Sequence, residues 1–346
     1  MSAYEALSPL LFRVDPERAH RASIRAAAWG LVPQAKIDEP RLRVSVAGLD
    51  FPNPLGLAAG YDKDGEAWKA MLGTGFGHVE IGTVTPRPQP GNARPRVFRL
   101  VEDRAVVNRY GFNSAGAAIV RDRLRNRRRN GILGVNVGAN KTSDDFAADY
   151  VQGIETFAEG ADYLTINVSS PNTPGLRALQ GAEPLADLLE RACDARDSQP
   201  TRRPLFLKIA PDLNENEMDT IARTVLASGV DALVVSNTTV ARPDLRSPHA
   251  GETGGLSGRP LLEPSTHVLR EMARRLERKL PLVGVGGVED AAGVIAKIEA
   301  GASLVQLYTA MVFRGPSLAA RIVGDLRDYC RDRDTSVEDM IAGAKV

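Results

Sequence analysis

Eight short segments rich in aliphatic and β-branched residues recur along this chain, separated by helical patterns. Each is the length of one buried strand, and turn-forming residues bound most of them. Strands that alternate with helices are typical of a parallel sheet, and eight such units favour a (β/α)₈ TIM barrel within the α/β class. A doubly wound open sheet is the competing architecture. The predicted strands are Pro54–Ala59, Gly77–Val84, Ile132–Gly138, Tyr163–Ser169, Leu205–Ala210, Ala232–Asn237, Leu282–Gly287 and Leu304–Tyr308.

The segments between these strands carry apolar residues at helical spacing. A further segment, Leu42–Phe51, precedes the first barrel strand and predicts a small hairpin or a strand across the barrel floor. The clearest predicted helices are Ala115–Arg128, Asp144–Gly160, Pro184–Arg196, Glu215–Ser228, Pro264–Lys279 and Ala291–Ala300.

Residues 1–39 differ from the barrel region, residues 40–346, and predict an extension of two amphipathic helices. Apolar residues recur at helical spacing from Leu7 to Val14, and Asp15-Pro16-Glu17 has the composition of a helix start. A pair this short cannot bury its own apolar faces. It either lies on a membrane surface or packs on the neighbouring domain, and the pattern alone favours packing.

Nearly every predicted strand ends in a chemically useful group. In a TIM barrel the carboxyl ends of the strands meet at one face, where the active site is built. The strand-end groups therefore predict a single polar site. They are Ala59 to Lys63, Thr83, Asn136, Asn167, Lys208, Ser236 to Thr238, Gly284 to Gly287, and Tyr308 with Thr309.

The glycines after strand seven and the residues after strand eight suit a barrel phosphate site, although Gly286 and Gly287 alone are equally typical of a turn. A phosphorylated cofactor there would place its ring over strands one to five. Lys208 would be costly to bury unless it faced developing negative charge, as a reduced flavin ring carries. A lysine that extends from a strand end to solvent is the alternative.

Composition excludes several classes of protein. The formal net charge is +1, so nothing indicates a nucleic-acid partner. The two cysteines, Cys193 and Cys330, predict neither a disulfide framework nor a metal site, and they favour a reducing compartment. Neither a membrane-spanning segment nor a secretory signal is predicted.

Five motifs, in this order along the chain, closely resemble dihydroorotate dehydrogenase. The resemblance extends from about Asp15 to the last strand–helix unit. The motifs are Ala59-Gly60-Tyr61-Asp62-Lys63, Asn108-Arg109-Tyr110-Gly111-Phe112-Asn113, the segment from Asn167 through Ser170 and Pro174 to Arg177, Lys208-Ile209-Ala210-Pro211-Asp212, and the segment from Thr253 to Leu261.

The resemblance implies oxidation of dihydroorotate to orotate in pyrimidine synthesis, with FMN in the barrel mouth. The matching FMN-binding positions are Ala59, Gly60, Tyr61, Asp62, Lys63, Thr83, Asn136, Asn167, Lys208, Ser236, Gly258, Gly287, Tyr308 and Thr309. The matching substrate-binding positions are Lys63, Asn108, Arg109, Tyr110, Gly111, Phe112, Asn167, Asn172, Asn237 and Thr238.

The resemblance also assigns Ser170 as the general base that removes the substrate's C5 proton. Soluble forms of the family, which reduce fumarate or NAD, carry cysteine as the base, whereas the membrane-associated quinone-dependent class carries serine. That class also has an N-terminal helical pair. By resemblance, residues 1–39 form a peripheral membrane patch and quinone entrance, with His20, Arg99 and Tyr308 in the quinone pocket.

The resemblance thus implies a monomer held at the cytoplasmic side of the inner (cell) membrane. Two other functions are weighed against it: another FMN-dependent barrel oxidoreductase, and a non-catalytic phosphate-binding barrel. We expect removal of residues 1–36 to spare flavin reduction but to impair turnover with quinone.

Overall fold

The computed structural model describes residues 3–173 and 175–344. Pro174 of the predicted base-bearing segment, and the outermost residues of the two predicted regions, lie outside this description. The helices are α1 Ala3–Leu11, α2 Pro16–Ala28, α3 Trp68–Leu72, α4 Ala117–Leu124, α5 Phe146–Phe157, α6 Ala182–Asp197, α7 Glu215–Ala227, α8 Leu262–Leu276, α9 Ala291–Glu299, α10 Ala310–Arg314, α11 Leu318–Asp332 and α12 Val337–Gly343. The strands are β1 Val44–Val46, β2 Leu49–Phe51, β3 Leu55–Leu57, β4 His78–Val84, β5 Val97–Leu100, β6 Ala105–Asn108, β7 Ile132–Val137, β8 Tyr163–Asn167, β9 Leu205–Ile209, β10 Ala232–Val235, β11 Gly255–Gly258, β12 Leu282–Val285 and β13 Leu304–Leu307.

Eight parallel strands form a closed barrel in the order β3-β4-β7-β8-β9-β10-β12-β13. The last strand pairs with the first, with Val305 opposite Leu55, so the sheet has no free edge. This closure confirms the predicted TIM barrel and excludes the doubly wound alternative. All eight predicted barrel strands and all six predicted barrel helices are present, with ends within a few residues of the prediction.

The segment before the barrel is the predicted hairpin, in which β1 pairs antiparallel with β2. A three-stranded antiparallel sheet of β5, β6 and β11 was not predicted. Its strands are four residues each, and β11 lies about 150 residues after β6 along the chain. A small apolar core of its own, including Phe98, Val107 and Leu256, stabilises it beside the barrel mouth.

The predicted two-helix extension is present. The Asp15 side chain accepts a hydrogen bond from the Arg18 backbone N–H at 2.9 Å, so it is the N-cap of α2 as predicted. Phe12 makes an edge-to-face contact with Phe313 at 5.6 Å between centroids, and Ile24 is buried. The extension therefore packs on the barrel by one face.

The other face of the extension leaves large apolar side chains in solvent. Exposure is 59% for Leu7, 62% for Leu10, 76% for Trp29 and 70% for Leu31. Packing on the barrel therefore accounts for only part of the apolar surface of these helices. Among the described residues, no helix has the length and apolarity needed to cross a membrane.

Candidate active site

One cavity of about 600 Å³ joins the carboxyl ends of the barrel strands to the inner face of the N-terminal extension. Its volume lies in the range of sites that hold a cofactor and a small substrate. Strand-end residues such as Asn167 and Lys208 line one part, and apolar residues such as Leu11, Phe12 and Ala26 line the other. A polar chamber and an apolar channel are thus parts of one space.

Most of the predicted site residues line this cavity. They are His20, Ala59, Gly60, Tyr61, Lys63, Thr83, Arg99, Asn108, Tyr110, Gly111, Phe112, Asn167, Ser170, Asn172, Lys208, Ser236, Asn237, Thr238, Gly258, Gly287, Tyr308 and Thr309. These residues come from seven of the eight barrel strands or the loops that follow them, with β7 contributing none, and from the three-stranded sheet and α2. The fold therefore brings together groups that are almost 300 residues apart in the chain.

The side chains of three predicted residues do not line the cavity. The Asp62 carboxylate accepts hydrogen bonds from the backbone N–H groups of Glu66 and Ala67, both at 2.8 Å, and so holds the turn before α3. Arg109 forms an ion pair with Glu252 at 2.8 Å. Asn136 is fully buried beneath the cavity floor. A role for these side chains in direct ligand binding is therefore not supported by their placement.

Asn136 instead links the barrel interior to the cavity. Its amide nitrogen donates to Glu80 at 2.8 Å, and its amide oxygen accepts from the Thr83 hydroxyl at 2.6 Å and from Asn167 at 3.3 Å. Glu80 is fully buried and also accepts from Tyr163, Thr165 and Gln306. Glu80 lies in mid-strand, where a charged residue carries no recognisable motif, so the sequence alone does not single it out.

The same network continues across the cavity floor. Asn237 donates to the Asn167 amide oxygen at 3.2 Å and to the Ser169 hydroxyl at 2.9 Å. Asn167 in turn donates to the Thr83 hydroxyl at 2.9 Å. Because each amide is held by its neighbours, their orientations are fixed before any ligand binds.

Lys208 has a buried ammonium group on β9 that faces this network. It is 5% exposed, and within residues 3–173 and 175–344 we find no hydrogen bond or ion pair to its ammonium group. Burial lowers the pKa of Lys208, although the charge of Glu80 opposes the shift. A buried cation without a direct partner fits the negative charge of a reduced flavin ring, so this position supports an FMN site.

The glycine turns at the mouth fit the phosphate end of FMN. Gly287 has φ +77°, and a Cβ there would lie 2.3 Å from the Leu262 backbone nitrogen, so no larger residue fits without a shift of α8. The backbone N–H groups of Gly287 and Thr309 donate no hydrogen bond within the described part of the chain. They are therefore free to bind an anion.

Lys63 lies beside the cavity in an aromatic and cationic environment. Its ammonium is 4.5 Å from the centroid of the Tyr110 ring, and the Arg96 guanidinium is 5.3 Å from the same ring. Burial lowers the pKa of Lys63 to about 8, with the charge of Arg96 acting in the same direction and Asp64 opposing it. A bound carboxylate would provide a counter-ion for the Lys63 ammonium.

Ser170 lies at the cavity wall on the loop that follows β8. It is 6% exposed, and its hydroxyl oxygen accepts a hydrogen bond from the Asn172 backbone N–H at 3.3 Å. Arg177 braces this loop because it donates to the carbonyls of Ser169 and Thr238, both at 3.1 Å. Arg177 belongs to one of the five family motifs, but the sequence alone assigned it no role.

His20 connects α2 to the barrel mouth. One ring nitrogen, Nε2, lies 2.8 Å from the Tyr61 carbonyl oxygen, and Nδ1 lies 3.0 Å from the Tyr308 hydroxyl. A carbonyl can only accept, so Nε2 carries the proton and Nδ1 accepts from Tyr308. Burial lowers the pKa of His20 to about 4, so the ring is neutral near pH 7.

Arg99 approaches the same channel from β5. Its guanidinium donates to the Val14 carbonyl and lies 5.1 Å from the centroid of the Phe12 ring. The three predicted quinone-site residues thus lie where the extension meets the barrel. Among the described residues, no group of three or more His, Cys, Asp or Glu side chains is arranged to hold a metal ion.

Comparison with known proteins identifies the family. The family model described as dihydroorotate dehydrogenase matches residues 41–329. The chain belongs to the dihydroorotate dehydrogenase family. This confirms the resemblance drawn from the five motifs.

Relatives within this family match the extension as well as the barrel. The chain is 56% identical over 337 residues to dihydroorotate dehydrogenase (quinone) of Sinorhizobium medicae, covering 95% of this chain and 93% of the relative. It is 53% identical over 332 residues to the protein of the same name from Rhodospirillum rubrum, covering 95% and 90%.

Solved structures indicate the same family. The crystal structure of DHODH from Eimeria tenella in complex with ferulenol superposes with a TM-score of 0.91 at 41% identity, covering 94% of this chain and 95% of that one. The ligand-free form from the same organism also has a TM-score of 0.91, at 40% identity. The dihydroorotate dehydrogenase fold therefore extends over nearly the whole chain.

Proposed function

We propose that this protein is a quinone-dependent dihydroorotate dehydrogenase. It oxidises dihydroorotate to orotate with FMN and passes the electrons to a quinone. The observation that carries the proposal is the single cavity in which a polar chamber at the barrel mouth continues into an apolar channel under the extension. A small polar acid and a lipophilic acceptor can thus reach the same cofactor from two sides.

When bound, FMN would supply the redox chemistry, because its ring can take up a hydride and release the electrons singly or in pairs. On this chain, the free N–H groups of Gly287 and Thr309 would bind its phosphate. Lys208 would face the ring and stabilise negative charge on it. Thr83 and Asn167, held by their neighbours, would offer hydrogen-bonding groups to the polar edge of the ring.

The substrate site is formed by Lys63 and a set of asparagines. The Lys63 ammonium would bind the substrate carboxylate. Asn108, Asn172 and Asn237 line the cavity and can satisfy both donors and acceptors of the ring amides. The Asn172 side chain also donates to the Asn108 carbonyl at 3.2 Å, which ties the base-bearing loop to β6.

Ser170 would accept the C5 proton of the substrate as the C6 hydride leaves. A serine hydroxyl is a weak base, so its own proton must leave through a polar relay to solvent as it takes the new one. The near-complete burial of Ser170 keeps bulk water from competing for that transfer.

The quinone would enter between α1 and α2 and stop against His20, Arg99 and Tyr308. The neutral His20–Tyr308 pair closes the inner end of the channel without a buried charge. Tyr308 follows β13 and lines the same cavity as Gly287 and Thr309, so this end of the channel adjoins the cofactor chamber.

We further propose that the extension binds a membrane surface, where its substrate quinone dissolves. The exposed side chains Leu7, Leu10, Trp29 and Leu31 supply the apolar contact. On this basis the protein is peripheral, and we further propose, from the family resemblance, that it lies on the cytoplasmic side of the cell membrane and acts as a monomer.

Steady-state oxidation of dihydroorotate with ubiquinone, fumarate and NAD, compared side by side, tests the proposal. We expect a yellow protein that turns over with ubiquinone and is nearly inactive with the other two. Preference for fumarate or NAD would contradict quinone dependence. A colourless protein without dihydroorotate oxidation would instead favour a non-catalytic barrel.

A further inference from the structure

Lys297, on α9, is a fully buried lysine that the proposed reaction does not use. Within the described residues its ammonium has one hydrogen-bond partner, the Ser265 hydroxyl on α8 at 2.6 Å. The charge of Glu263 raises the pKa of Lys297, and the Glu263 side chain is exposed. A buried ammonium with no buried counter-ion is costly, so an anion bound nearby would stabilise the charged form of Lys297.

Lys297 packs behind the end of β12 and reaches the following glycine turn through Ser265. A Cβ at Gly284 would meet the Lys297 side chain at 3.1 Å, and one at Gly286 would meet the Ser265 hydroxyl oxygen at 2.7 Å. The Ser265 hydroxyl has a single hydrogen, and its nearest acceptor is the Leu261 carbonyl oxygen at 2.6 Å; the carbonyl oxygens of Leu262 and Gly286 both lie 3.2 Å away. The lysine, the serine and the turn thus form one packed unit.

The position of the Gly286 carbonyl gives the direction of the next N–H. In a trans peptide the carbonyl and the following N–H point in opposite directions. The Gly286 carbonyl points towards Ser265, inside the barrel wall. The Gly287 N–H therefore points away from α8, and Gly286 and Gly287 both line the cavity.

We propose that Ser265 and Lys297 are positioning residues for the phosphate of FMN. Ser265 packs against the Gly286 carbonyl in the wall, on the side opposite the Gly287 N–H that would face the phosphate, and Lys297 places a positive charge behind that N–H. This inference rests on the proposed FMN site. Burial lowers the pKa of Lys297 to about 7, and a phosphate dianion nearby would favour its charged form.

The test uses three variants of the purified flavoprotein. Lys297→Met removes the charge at similar volume, and Ser265→Ala removes the hydroxyl between the lysine and the turn. Thr266→Ala is the matched control, because the Thr266 hydroxyl bonds the Leu262 carbonyl one residue along the same helix and contacts neither Lys297 nor Gly286.

Two measurements are made on each variant: the phosphorus NMR resonance of bound FMN, and the rate of FMN release after dilution, followed by flavin fluorescence. We expect Lys297→Met and Ser265→Ala to shift the resonance and to release FMN about tenfold faster. Thr266→Ala should match the parent protein in both. Faster release with an unchanged phosphorus resonance would indicate a merely structural role and overturn the proposal.

Ser265→Ala decides the question alone if Lys297→Met does not fold. An unchanged resonance and an unchanged release rate in Ser265→Ala then overturn the proposal. If the parent protein binds no FMN, the proposed function fails together with this inference. If it binds FMN and the variants behave like Thr266→Ala, only this inference fails.

Discussion

Glu17 on the N-terminal extension forms a double hydrogen bond with Arg96, a buried residue beside the substrate chamber. Arg96 donates through Nε at 3.1 Å and Nη2 at 2.7 Å, and Arg94 donates to the same carboxylate at 2.9 Å. Burial opposes ionisation of Glu17, but these hydrogen bonds still leave its pKa below the ordinary value. The extension is therefore linked to the Tyr110 ring that both Arg96 and Lys63 approach.

Glu17→Gln should weaken substrate binding, although Glu17 lies on the extension that borders the proposed quinone channel. It leaves the Arg96 guanidinium buried without its counter-ion, which costs about 3–5 kcal/mol when a buried pair is broken. We expect a lower melting temperature and a raised apparent Kd for dihydroorotate in single-turnover flavin reduction. Glu66→Gln is the control, because its partner Arg21 is half exposed and such pairs contribute about 1 kcal/mol or less.

This contact also changes what we expect of truncation. The sequence alone suggested that removal of residues 1–36 would spare flavin reduction. Because Glu17 leaves with them, we now expect weaker substrate binding as well as the loss of quinone turnover. A truncated protein with an unchanged apparent Kd for dihydroorotate in flavin reduction would show that Arg96 needs no partner from the extension.

Ser170→Ala should retain FMN but reduce it at least about a hundredfold more slowly with dihydroorotate, since a positioned general base contributes that much or more. Ser170→Cys should recover part of the rate, because a thiol can also accept a proton. Stopped-flow absorbance of the flavin measures both. Near-normal reduction in Ser170→Ala would refute the role as base.

Substrate binding should weaken at alkaline pH through Lys63. Its pKa of about 8 means that the ammonium loses its proton, and its attraction for the substrate carboxylate, as the pH rises through that value. We expect KM for dihydroorotate to rise by up to about tenfold per pH unit above pH 8. Lys63→Arg should flatten this profile, since a guanidinium stays charged. A KM independent of pH up to pH 10 would contradict the assignment.

His20 should make the protein sensitive to acid. The folded state keeps the ring neutral down to about pH 4, whereas the unfolded chain protonates it near pH 6.5, so stability falls as the pH drops through that window. At pH 5 this loss is about 2 kcal/mol relative to pH 7.5. Chemical denaturation at both pH values, on the parent and on His20→Gln, measures it. Equal losses in the two proteins would exclude His20 as the source.

Membrane binding should depend on Leu7 and Leu10, which are exposed and do not line the cavity. Replacing both with serine removes about 3 kcal/mol of apolar transfer energy, or roughly a hundredfold in vesicle affinity. Co-sedimentation with lipid vesicles measures the loss, while flavin reduction should be unaffected. Leu226→Ser, an exposed leucine on α7, is the control. Equal vesicle binding by the double variant would exclude this surface.

For this chain of 346 residues, local sequence patterns alone were sufficient to predict the barrel. The spacing of apolar residues identifies each strand, such as Leu205–Ile209, and each helix, such as Glu215–Ala227, from its own segment of sequence. The alternation of strands and helices then predicts parallel strands whose carboxyl ends lie at one face. The positions of Lys208, Asn167 and Gly287 at that face follow from the same register. The motifs around them were sufficient to identify the family.

Only the tertiary structure decided which polar side chains reach the cavity and which support it from behind. Asn136 and Asp62 occupy strand-end positions like those of their neighbours. The Asn136 side chain nevertheless hydrogen-bonds to Glu80, and the Asp62 carboxylate accepts hydrogen bonds from backbone N–H groups. The pairs Glu17–Arg96 and Ser265–Lys297 join residues 79 and 32 positions apart. Such contacts depend on the packing of separate elements in three dimensions, and neither periodicity nor residue type along the chain encodes that packing locally.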